Sequence, residues 1–138
     1  MKRLFIDTDV VLDLLTAREP HLDAAQGLFS ELDNGKTAGF VSALTFPNVH
    51  YILRREISNN EAVKALEKLR SVVGILPIDG KVIALALSSR FRDFEDAVQY
   101  YTATQNGMIC LITRNVRDYR GSELPVLTPA EYLSHSRS

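Results

Sequence analysis

The sequence predicts an α/β domain of three layers, α/β/α, around a mostly parallel central sheet. Short apolar runs at Leu4-Phe5-Ile6, 38–41 and 108–113 have the length of strands, and segments of helical period lie between them. Strands that alternate with helices are joined by crossovers, which makes neighbours parallel and covers both sheet faces. The first run ends at once in Asp7, Thr8 and Asp9, and in open parallel sheets the carboxyl ends of strands are where ligands bind.

Taken in order, residues 3–7 read as a buried strand and 9–16 as an apolar helix with acid in its first turn. Pro20 opens a second helical pattern with Leu22, Ala25, Leu28, Phe29 and Leu32 on one face, and Asn34-Gly35 supplies its stop. A strand at 38–41 follows. A helix over 42–56 turns Phe46, Val49 and Leu53 inward and tolerates Pro47 in its first turn. Ser58 and Glu61 form a capping box ahead of Ala62, Val63, Leu66 and Leu69. Residues 72–76 make a third strand, Asp79 caps a helix to about Ser88, and a further helix runs from Asp93 or Phe94 to about Asn106. The fourth strand is 108–113. A short strand at Val126-Leu127 leads into Thr128-Pro129-Ala130-Glu131, which combines an N-cap, a first-position proline and a capping glutamate.

With 138 residues and 46% hydrophobic content, one domain over 1–134 has material for a core without disulfide or metal staples, and a loose tail is expected at 135–138. The single cysteine, Cys110, lies inside an apolar run, so it reads as a core hydrophobe in a reducing compartment. No apolar run approaches the roughly 20 residues that span a bilayer, and no signal-peptide cleavage site precedes the first strand. The expectation is a cytoplasmic protein with no membrane partner. Sixteen basic against seventeen acidic residues give a net charge of −1, so any nucleic-acid affinity must come from local patches and bound metal.

Three acidic clusters carry the chemistry. Asp7 ends the first strand, the segment from Thr113 to Asp118 follows the fourth, and Asp96 can join them from the first turn of its helix. Three carboxylates at close range repel one another, and a divalent cation resolves the conflict. Oxygen donors without a Cys or His cluster select Mg²⁺ or Mn²⁺. Such an ion suits phosphodiester hydrolysis that leaves a 3′-hydroxyl and a 5′-phosphate. Asp9 suits a helix cap as well as a supporting acid, Asp93 suits a cap, and Glu95 faces solvent. His21 and His50 lack metal-ligand spacing, and His135 lies in the tail. Arg54-Arg55 reads as a solvated face, whereas Arg114 and Arg117 flank the acids and are candidates for phosphate binding.

The pattern Phe5-Ile6-Asp7-Thr8-Asp9-Val10-Val11-Leu12-Asp13, then Val41-Ser42-Ala43-Leu44-Thr45, Asp93-Phe94-Glu95-Asp96-Ala97 and Ile112-Thr113-Arg114-Asn115-Val116-Arg117-Asp118-Tyr119 resembles the PIN domain in order and spacing. So does the closing Leu124-Pro125-Val126-Leu127-Thr128-Pro129. The resemblance implies a metal-dependent ribonuclease, with small bacterial or archaeal members commonly VapC-type toxins paired with an antitoxin, and it implies a homodimer. It places metal ligands at Asp7, Asp96 and Asp118, polar support at Thr8 and Thr113, and Asn115 as a loop anchor. The chain departs from the pattern at Asn48, preceded by Pro47, where the family usually carries a glutamate. An asparagine carbonyl can reach a metal but lacks the charge that strengthens such a site, and Asp9 is a candidate to compensate.

Two other readings compete. Asp7-Thr8-Asp9-Val10-Val11 also fits the nucleophile motif of haloacid-dehalogenase-like phosphatases, although no paired-acid motif follows the fourth strand. The chain could instead be an RNA- or partner-binding module whose site is weakened at Asn48. Against that, a disused site has no need to keep mutually repelling acids.

Overall fold

The computed structural model describes residues 2–136. Five strands, β1 (Arg3–Ile6), β2 (Ala38–Ser42), β3 (Gly74–Leu76), β4 (Cys110–Ile112) and β5 (Val126–Leu127), form one sheet in the order β3-β2-β1-β4-β5. Every neighbouring pair is parallel. The helices are α1 (Thr8–Leu15), α2 (Leu22–Asp33), α3 (Thr45–Glu56), α4 (Asn59–Val72), α5 (Gly80–Leu87), α6 (Phe94–Gln105) and α7 (Pro129–Ser136).

The two-residue period of β1 divides the core. Leu4 and Ile6 point to one face and pack with Val10, Leu28, Val41, Val49 and Leu53 from the first three helices and β2. Phe5 points to the other face and packs with Tyr100, Ala103 and Leu111. Helices α5 and α6 join through Val82, Ala86, Ala97 and Val98. The result is the expected α/β/α sandwich. Two glycines allow close approach on the sheet: a Cβ at Gly39 would meet the Leu32 side chain at 2.6 Å, and one at Gly74 would meet the Phe40 ring at 2.5 Å.

Local signals set most element starts. Ser58 Oγ accepts from the Glu61 N–H at 3.1 Å, and Asp79 Oδ1 accepts from the Val82 N–H at 3.0 Å. Thr128 and Glu131 exchange both bonds of a capping box, at 2.9 and 3.1 Å. Several boundaries differ from the sequence reading. Helix α2 starts at Leu22, because Pro20 lies in a turn closed by His21 N–H to the Arg18 carbonyl. Strand β2 runs on to Ser42, which pairs with Leu76, so α3 begins only at Thr45, with Pro47 in its first turn. Helix α4 continues to Val72 and delays β3 to Gly74. Strand β4 covers only Cys110–Ile112, although the Ile109 and Thr113 N–H groups still donate to the Arg3 and Leu127 carbonyls across the sheet. Helix α7 extends through His135 and Ser136, so those residues are not tail; residues 137 and 138 lie outside the described residues. A 3₁₀ turn, Val116–Tyr119, was not anticipated.

Strand β1 has β2 on one side and β4 on the other, so the order of strands reverses there. A crevice at the carboxyl ends of β1 and β4 follows from that reversal. No described helix is long and apolar enough to cross a membrane.

Candidate functional site

Asp7 stands in that crevice. Its backbone N–H donates to the Ile112 carbonyl at 2.9 Å, which continues the β1–β4 ladder by one residue and fixes where the side chain emerges. Four donors converge on the carboxylate, which is 8% exposed. Oδ1 accepts from the Thr8 N–H at 2.8 Å and from Gln99 Nε2 at 3.2 Å. Oδ2 accepts from Thr113 Oγ1 and from the Tyr119 hydroxyl, both at 2.9 Å.

Gln99, Tyr119, Ser42 and Thr45 escaped the sequence reading. Gln99 is buried and turns its amide by accepting from Ser42 Oγ and donating to Asp7 and, at 3.3 Å, to Thr8 Oγ1. Thr8 Oγ1 also lies 2.9 Å from Thr45 Oγ1. One signal was available for Gln99: it stands three residues after Asp96 and so shares its helix face. Tyr119 is 2% exposed, and its hydroxyl reaches 3.5 Å from Asp96 Oδ1 as well as Asp7.

Asp9 does not cap α1. Asp7 holds the cap position, and Asp9 lies in the first turn facing the segment after β4. Its Oδ2 accepts from Asn115 Nδ2 at 3.0 Å and the Arg114 N–H at 3.1 Å, and lies 3.2 Å from Thr113 Oγ1, whose single hydrogen it shares with Asp7. Asn115 therefore ties its loop to α1. Asp9 Oδ1 is buried with no hydrogen-bond partner among the described residues. The Arg114 guanidinium is committed elsewhere, to Asp13 in a bidentate pair at 2.9 and 3.1 Å.

A small pocket of about 150 Å³ brings together Asp7, Thr8, Asp9, Asn48, Asp96, Asn115 and Asp118, along with Gln99 and Leu44. Glu95 is exposed, as expected, yet also lines this pocket. Asp93 caps α6 by accepting from the Asp96 N–H at 3.0 Å and faces an adjoining groove together with Arg117.

Burial, and after it the crowding of like charges, shows in the titration of the acids. Asp96 is pushed up to about 7, first by burial and then by the charges of Asp7, Asp93, Asp118 and Asp9. Asp9 is also pushed up to about 7, by burial and then by Asp7, although Thr113 and Arg114 oppose the shift. Burial and the neighbouring carboxylates push the Tyr119 hydroxyl far up, so it stays a donor.

These donors fit a hard divalent cation in chemistry. They are all oxygen, they repel one another, and one buried carboxylate oxygen of Asp9 lacks a partner among the described residues. Asp7 and Asp9 are held by protein hydrogen bonds, and the set is not gathered as a ready ligand shell: among the described residues no three acids, histidines or cysteines form a group that could hold a metal ion.

No curated protein matches the chain by sequence. Among solved structures, a toxin–antitoxin complex from Klebsiella pneumoniae is similar with a TM-score of 0.69 at 23% identity, over 91% of this chain and 97% of that one. FitAcB from Neisseria gonorrhoeae matches with a TM-score of 0.70 at 18% identity, over 92% and 98%. VapC20 of Mycobacterium tuberculosis, a toxin that cleaves the sarcin–ricin loop, matches with a TM-score of 0.63 at 20% identity, over 78% and 86%. These likenesses establish the fold. The family model of the PIN domain matches residues 3–117, which is most of the sequence, and the chain belongs to that family.

Proposed function

We propose that this protein is a Mg²⁺- or Mn²⁺-dependent endoribonuclease, the toxin of a toxin–antitoxin pair, with Asp7, Asp96 and Asp118 as metal ligands and catalytic acids. The observation that carries the reading is the convergence of those three acids and Asp9 on one pocket at the switch point of the sheet. Structural neighbours that are toxin–antitoxin complexes, and one toxin that cleaves the sarcin–ricin loop, support it. The family assignment stands against the phosphatase reading.

When bound, a divalent ion would polarise the phosphodiester, lower the pKa of a water and steady the leaving oxygen. The protein's own part is orientation. Thr113, Tyr119, Gln99 and the Thr8 N–H hold the Asp7 carboxylate in one rotamer, and Thr8 and Asn115 complete the polar wall. Asp9 and Asp96 hold protons near neutral pH and must lose them to serve as ligands. Asn48 offers only a neutral carbonyl, so Asp9 is the residue placed to add charge. The cognate antitoxin and a homodimer in the cytoplasm belong to the same reading.

Asn48 also favours a second reading, a weakened site in a protein that binds RNA without cutting it. Incubation of a mixed RNA pool with purified protein separates the two. The nuclease reading requires cleavage with Mn²⁺, loss of cleavage with EDTA, and products ending in 3′-hydroxyl and 5′-phosphate. Intact RNA with folded, metal-loaded protein supports the binding module.

A further inference from the structure

Four arginines that the acidic pocket does not use line one groove. Arg90 and Arg92 come from the connection between α5 and α6, and Arg117 and Arg120 come from the segment after β4. The groove measures about 680 Å³ and shares Asp96 and Asp118 with the acidic pocket, so the two are continuous. All four arginines are exposed, and none pairs with a carboxylate: the ion pair among the described residues is Arg114 with Asp13. In a chain of net charge −1, these four guanidinium groups outnumber the three carboxyl groups that share the groove, Asp93, Asp96 and Asp118, two of which also line the acidic pocket, and leave the groove basic by one charge.

Phe91 explains their direction. Its ring is fixed between Tyr100 at 5.0 Å, Tyr119 at 6.1 Å and Tyr101 at 6.3 Å, so the arginines on either side of it are left to the surface. Arg90, Phe91 and Arg120 also border a second cavity, about 560 Å³, with the half-buried Tyr101 ring in its wall and Tyr100 buried beside it. Guanidinium groups beside aromatic rings suit phosphates and unstacked bases together. A duplex keeps its bases in the stack and cannot offer one to such a wall.

We propose that this groove binds the backbone of single-stranded RNA through Arg90, Arg92, Arg117 and Arg120, and leads one phosphodiester to the acidic pocket. The inference deepens the nuclease reading and rests on it for the choice of RNA.

The test measures binding of a labelled 12-nucleotide oligouridylate by fluorescence anisotropy in EDTA, across a fourfold range of salt. Four phosphate contacts give a salt slope of about −2.8, which is a roughly 50-fold loss of affinity over that range. The variant pairs Arg90→Ala with Arg92→Ala, and Arg117→Ala with Arg120→Ala, each leave a slope of about −1.4 and a roughly sevenfold loss. The Lys versions of both pairs restore the slope, which separates lost charge from a damaged fold. Arg54→Ala with Arg55→Ala, outside the groove, leaves it unchanged. Slopes that stay at the wild-type value in both groove pairs overturn the inference, as does equal binding of a 12-base-pair RNA duplex. Cleavage assays with Mn²⁺ separate this from the nuclease reading. Unchanged KM in the groove pairs of an active enzyme overturns the groove alone. Halved salt slopes in a protein that never cleaves uphold the groove and overturn the nuclease.

Discussion

Replacing Asp96 by Asn should stabilise the metal-free protein while removing its activity. The carboxyl titrates near 4 in the unfolded chain and is pushed up to about 7 in the fold, so the native state resists its charge. Three units correspond to a ceiling of about 4 kcal/mol, and because the group is only half-buried, solvent screening reduces this to about 1–2 kcal/mol. Asn removes the charge and keeps an oxygen beside the Tyr119 hydroxyl, 3.5 Å from Asp96 Oδ1 in the wild type. The sign with pH follows from proton counting. Between about pH 4 and 7 the native protein holds a proton that the unfolded chain has lost, so wild-type stability falls as pH rises. The gain from Asp96→Asn is therefore full at pH 8, about a third of that at pH 5, and absent below pH 4. Thermal melts in EDTA should show the variant about 3–7 °C above wild type at pH 8, with the gap closing toward pH 5. A variant that melts at or below wild type at pH 8, or a gap independent of pH, would refute the claim that burial and the neighbouring acids disfavour the Asp96 charge.

Three further outcomes follow from the same geometry. Calorimetric titration with Mn²⁺ in buffers of different ionisation enthalpy should show release of about one to two protons at pH 6.5 and almost none at pH 8.5, since Asp9 and Asp96 both sit near 7. Equal release at both pH values would exclude these two acids from the site. Tyr119→Phe removes a buried hydroxyl that donates to Asp7, and denaturant unfolding should register a loss of about 1–2 kcal/mol with the fold intact. Arg114→Ala strands the Asp13 carboxylate, 2% exposed, without its bidentate partner and should cost about 2–3 kcal/mol in the same assay.

Much of this was legible because it is local. The junction of an apolar strand with Asp7, and the caps at Ser58, Asp79, Asp93 and Thr128, each involve residues within a few positions of one another, so the sequence displays them directly. What escaped depends on pairing across the chain. The Arg114–Asp13 pair spans 101 positions, and Gln99 meets Ser42 only because α6 crosses the end of β2. Tyr119 sits in a 3₁₀ turn too short to show a period, and its burial is decided by Phe91 and the floor of Asp7. The early starts expected for α2, α3 and β3 share one cause. Apolar and proline positions mark where an element can begin, whereas the hydrogen-bonded ladder decides where the previous one stops.

The most direct measurement is RNA cleavage with Mn²⁺ by wild type and by Asp7→Asn, each shown to be folded by its circular dichroism. Wild type should cleave, EDTA should abolish the cleavage, and the variant should lack it. An Asp7→Asn protein that cuts RNA at the wild-type rate would contradict this, because the acid held by four donors at the centre of the site would then have no part in the chemistry.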